Sequence, residues 1–102
     1  MVVVVFRSRL REDAPEEFHT LRLRMLELAE SMPGFISYKS YVAEDGERVS
    51  IHEWESAEHL RRWREHPEHL AAQRLGRERY YAEYTSYVLD SPRESSYGRD
   101  GT

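Results

Sequence analysis

The chain contains no cysteine, a single lysine, four prolines and only five glycines in 102 residues. Without cysteine there are no disulfides, no thiolate metal site and no cysteine nucleophile. The glycines, Gly34, Gly46, Gly76, Gly98 and Gly101, stand far apart, so no glycine-rich loop exists to cradle a phosphate. No GxSxG elbow is present either, which removes the common hydrolase signal. Long apolar runs are also lacking. "MVVVVF" has no basic flank before it and gives way at once to "RSRLRED", too short for a secretory core or a membrane span. Fifteen basic residues face nineteen acidic ones, a formal net charge of −4, and the basic run "RRWR" at 61–64 lies between Glu58 and Glu65. Nucleic-acid binding needs a sustained basic face, and there is none. These absences lead us to expect a cytoplasmic domain that binds neither membrane nor nucleic acid.

What the chain does have is regular patterning. Val2 to Ser8 reads as a strand apolar on both faces as far as Phe6. Asp13 offers an N-cap before Pro15 and Glu16, and Phe18, Leu21, Met25, Leu28, Ala29 and Met32 follow at helical spacing until Pro33-Gly34. "FISYKSYVA" at 35–43 predicts a second strand, with Phe35, Ser37, Lys39 and Tyr41 on one face and Ile36, Tyr38, Ser40 and Val42 on the other. Asp45-Gly46 predicts a two-residue hairpin into a third strand, where Val49 and Ile51 alternate with His52 and Trp54. Ser56 caps a second helix carrying Ala57, Leu60 and Trp63, Pro67 interrupts it, and Leu70, Ala71 and Leu75 extend its stripe. A last strand begins near Tyr81 and ends at Leu89.

The order predicts an α+β fold, ferredoxin-like βαββαβ, with a four-stranded antiparallel sheet over residues 1–89 and a flexible tail over 90–102. Both helices fall on one face of the sheet. The other face is still apolar, which asks for a second copy and predicts a homodimer.

Chemistry concentrates in "HEWESAEHLRRWREHPEH", residues 52–69, which holds four of the five histidines and both tryptophans. Four readings apply: a solvated helix anchored by Trp63, a zinc or iron site, a haem pocket, or a cofactor-free pocket for an aromatic ligand. The i, i+3 spacing of His66 and His69 across Pro67 is a poor match to helical metal ligands, and no metal is assigned. In a cofactor-free pocket a histidine would remove a phenolic proton near neutral pH, leaving a phenolate able to react with oxygen.

"PGFISYKSY" at 33–41, the Trp54-Glu55-Ser56 step, Trp63 with His66 and His69, and "QRLGR" before the tyrosine-rich last strand resemble the antibiotic biosynthesis monooxygenase family over residues 2–89. The resemblance implies the dimeric α+β barrel. It also implies an activity: cofactor-independent oxidation of an aromatic phenol, with His66 or His69 as general base or orienting donor. Trp63, Gln73, Ser8 and Tyr38 would line the substrate site, Gln73 and Ser8 by register with the family, and Trp54 would be structural. Two other functions stay open: a non-catalytic dimeric module binding a small aromatic molecule, and haem degradation. Members that degrade haem carry an asparagine and a histidine where this chain has Ser8 and Gln73, so no cofactor is assigned, with haem the remaining alternative.

Overall fold

A computed structural model describes residues 1–99. The elements are β1 (Val2–Leu10), α1 (Glu17–Glu30), β2 (Phe35–Val42), β3 (Arg48–Trp54), α2 (Ala57–Arg64), α3 (Pro67–Leu75), a five-residue π-helical turn (Gly76–Tyr80) and β4 (Tyr81–Asp90). The sheet order is β2-β3-β1-β4 with every neighbour antiparallel, the ferredoxin-like arrangement. None of the helices is long and apolar enough to cross a membrane among the described residues.

The predicted second helix is two helices. Pro67 cannot donate a backbone hydrogen bond and pushes the preceding residue out of helical geometry, and His66 is extended at φ −60°, ψ 131°. The break resets the helical stripe. Leu70 is 49% exposed, and α3 turns His69, Ala72 and Gln73 inward instead.

Three local expectations are corrected. Asp13 does not cap α1; both its carboxylate oxygens accept from the Arg11 guanidinium at 3.0 and 3.1 Å, and Glu16 takes the N-cap without a side-chain bond. The β2–β3 hairpin is longer than two residues. Glu44, Asp45 and Gly46 form its loop, closed by Ala43 N–H to Glu47 O at 2.8 Å, with Gly46 at φ +92°. Phe35 also leaves its predicted face. The register steps from Phe35↔Trp54 to Ser37↔Glu53, so Ile36 is an extra residue and Phe35 swings to the helix side, edge-on to Trp54 at 5.5 Å. From Ser37 onward the alternation is as predicted.

The packed core occupies one end of the layer between sheet and helices. Val2 and Trp54 have no exposed surface, and Val4, Ala29, Leu60 and Trp63 complete the cluster. Trp54 and Trp63 stack at 6.0 Å with 20° between their planes. Gly34, at φ +83°, lets the chain turn from α1 into β2 directly against the His59 ring, where a Cβ atom would collide. On the opposite face of the sheet Val5 lies between Ile51 and Tyr87, and Val3 beside Leu89. Ile51 is 37% exposed, Tyr87 47% and Leu89 46%. Among the described residues nothing covers this apolar strip. Residues 91–99 form no helix or strand, and positions 100–102 of the expected tail lie outside the described residues.

Candidate functional site

Where the core stops, the same layer opens into a cavity of about 390 Å³ between the sheet and the three helices. That volume lies in the range of small-molecule sites, roughly 300–1,000 Å³. The alternation of β1 and β3 sends Phe6, Ser8, Arg48, Ser50 and His52 into it, and the inward edge of α3 adds His69 and Gln73. Five of the six residues expected to form the site therefore meet in one place: Trp63, His69, Gln73, Ser8 and Tyr38. His66 is not part of the lining. Its Nδ1 accepts from the Glu68 backbone N–H at 3.1 Å, making it the N-cap of α3.

Two imidazoles face the cavity, and their hydrogen bonds fix opposite tautomers. The Trp54 indole Nε1–H can only donate, and it donates to His52 Nδ1 at 2.8 Å. His52 Nδ1 is therefore unprotonated, its proton sits on Nε2, and the ring is a donor. His69 has the reverse arrangement. Its Nδ1 lies 3.4 Å from the Arg64 carbonyl oxygen, which can only accept, so Nδ1 carries the proton and Nε2 keeps a lone pair. The His69 ring sits 4.6 Å from that of Trp63, and the His52 ring 5.9 Å from that of Tyr38.

Burial keeps both rings neutral. It drops His52 from 6.5 to about 4, with the proximity of His69 adding to the effect. Burial also lowers His69, opposed by its bond to the Arg64 carbonyl and assisted by the Arg64 charge. Farther along the cavity, burial pushes the Tyr81 phenol up to about 12, with Tyr38 adding to the shift, so Tyr81 stays protonated. A donor imidazole, a basic imidazole and a ring of aromatic walls can hold a phenol, take its proton and exclude water. Among the described residues no group of three or more histidine, aspartate or glutamate side chains is placed to hold a metal ion.

Sequence patterning missed three members of this lining. Strand alternation puts His52 on one face of β3 but does not specify which face meets the helices. Arg22 interrupts the α1 stripe four residues after Phe18, and Arg48 shares the face of His52 and Trp54. In each case the signal is a polar residue in phase with buried ones.

Comparison with known proteins agrees with this architecture. Residues 1–75 match the family model of the antibiotic biosynthesis monooxygenases. The uncharacterized protein YqjZ of Bacillus subtilis (strain 168) is 35% identical over 71 residues, covering 70% of this chain; the match spans 62% of that protein's own length. Rv0793 of Mycobacterium tuberculosis superposes with a TM-score of 0.80 at 27% identity, covering 93% of this chain and 98% of that one. SnoaB of Streptomyces nogalater, a cofactor-independent oxygenase, superposes at 0.75 with 21% identity, covering 91% and 94%, a likeness of fold.

The buried histidine leaves a thermodynamic mark. An unfolded chain binds a proton at His52 near pH 6.5, whereas the folded chain resists it until about pH 4. The His52 contribution is thus complete above pH 6.5 and is lost as pH falls toward 4. Urea unfolding at pH 7.5 and pH 4.5 measures it: the wild type should lose about 2 kcal/mol more than His52→Gln over that interval. Equal losses would show that His52 is not held neutral.

Proposed function

The chain belongs to the antibiotic biosynthesis monooxygenase family, and on that premise we propose that it is a monooxygenase oxidising a phenolic aromatic metabolite without a bound cofactor. The pair of opposite imidazole tautomers in one aromatic-walled cavity carries this reading. His69 Nε2 accepts the phenol proton, and His52 Nε2–H donates to the oxygen that becomes negative. Trp63 holds the ring in place beside His69, with Gln73, Ser8 and Tyr38 as polar lining. The phenolate gives an electron to O2, and a new C–O bond at a ring carbon forms a hydroperoxide. Loss of water then leaves a quinone carbonyl: one oxygen atom enters the product and the other leaves as water. The described function of SnoaB as a cofactor-independent oxygenase supports this chemistry for the shared fold.

A haem route suits these residues less well. Gln73 faces the cavity where the resemblance places an iron-binding histidine, and an amide does not take that role. His66 caps α3 and does not line the cavity, which supports giving the catalytic role expected of that pair to His69.

The test is oxygen uptake with electron-rich bicyclic phenols. His69→Ala should lower kcat/KM by about 10²–10⁴-fold, the usual worth of a general base. His66→Ala should stay within a few-fold of wild type while costing about 1 kcal/mol of stability, as for a lost cap. Phenol binding without oxygen uptake would instead identify a non-catalytic binding module.

The same proposal includes a homodimer through the uncovered face around Val5, Ile51, Tyr87 and Leu89. Native mass spectrometry should give twice the 12.2 kDa chain mass, and Ile51→Glu should yield monomer. A monomeric wild type would refute the pairing.

A further inference from the structure

We propose that the end of the cavity formed by Arg22 and Arg48 is a carboxylate-binding subsite, so that the ligand is an aromatic acid rather than a neutral phenol. The inference rests on reading this cavity as the substrate site.

Of the other twelve arginines, eight are matched to acids among the described residues, and the remaining four, Arg64 at the cavity edge, Arg77, Arg93 and Arg99, are exposed to solvent. Arg24 meets Glu68 at 2.9 Å, Arg9 meets Asp45 at 2.8 Å, and Arg61 meets both Glu58 and Glu65. Arg22 and Arg48, which line the cavity, pair with no carboxylate among the described residues. The Nε of Arg22 is buried and has no hydrogen-bond partner at all. A buried donor without an acceptor is costly to keep, and a guanidinium recovers that cost by a forked bond to a carboxylate. The Arg48 guanidinium lies over the Phe18 ring at 5.6 Å, which holds the charge in place without neutralising it. Phe18, Tyr81 and Tyr84 wall this end with aromatic surface.

The two ends are ordered along β3. Arg48 and His52 share its inner face four residues apart, about 13 Å along an extended strand. Side chains reaching inward from both ends leave a span suited to fused aromatic rings. A phenol hydroxyl at the imidazoles and a carboxylate at the guanidiniums would then sit at opposite ends of one ligand.

Isothermal titration with 6-hydroxy-2-naphthoate, its methyl ester and 2-naphthol tests this directly, since the acid carries its two groups at opposite ends. The wild type should bind the acid about tenfold or more tightly than the ester. The preference should shrink to within about twofold in Arg22→Gln/Arg48→Gln and largely persist in Arg48→Lys, with melting curves confirming that each variant folds. Equal binding of acid and ester to the wild type, or no binding of either, would overturn the subsite. So would an acid preference that survives the double substitution. Oxygen uptake measured on the same ligands separates the two proposals. Acid preference without turnover leaves the subsite and removes the monooxygenase; turnover of 2-naphthol with no acid preference does the reverse.

Discussion

The Trp54 indole is the constraint on which the rest depends. With no exposed surface, its N–H must find an acceptor inside the protein, and His52 Nδ1 supplies one at 2.8 Å. A protonated His52 would put two donors face to face, so the bond requires the neutral ring that burial maintains and leaves the remaining proton on Nε2. The other face of the Trp54 environment is Trp63, stacked at 6.0 Å, and Trp63 in turn supports His69 at 4.6 Å. The packed core and the candidate site are therefore one continuous unit. Damage to the tryptophan pair would disturb the placement of both histidines as well as the packing of the core.

Most of the fold was legible from periodicity and punctuation. Alternation marked β2 and β3, β-branched and aromatic content marked β1 and β4, the Phe18–Met32 spacing marked α1, and Ser56 capped α2 as expected, its hydroxyl oxygen accepting from His59 N–H at 3.2 Å. Periodicity separates the two faces of a strand but does not say which one meets the helices. In β3 the apolar face, with Ile51, turns outward, and the face of Arg48, Ser50 and His52 turns inward. A cavity occupies the space where a continuous core would otherwise select the apolar face. The Asp13 cap failed because a charged pair with Arg11 used both carboxylate oxygens, and Phe35 changed face because a bulge shifts parity by one residue.

The site was partly legible for the same reason. Trp63, His69, Gln73, Ser8 and Tyr38 come together because strand alternation and helix spacing bring them to one layer. His66 and His69 look equivalent in the sequence, yet Pro67 divides them: one becomes the cap that starts α3, the other the first inward residue of its first turn. Tautomers and unpartnered guanidiniums have no sequence signature. They arise from which backbone carbonyl or indole happens to lie alongside, and that is set only when the helices dock on the sheet.

Everything proposed for the site requires two neutral histidines of opposite tautomer facing one cavity. Imidazole ¹⁵N NMR at pH 7, with assignments from His52→Gln and His69→Ala, measures it most directly. His52 should be protonated on Nε2 and His69 on Nδ1. A charged His52, or the same tautomer at both positions, would contradict it.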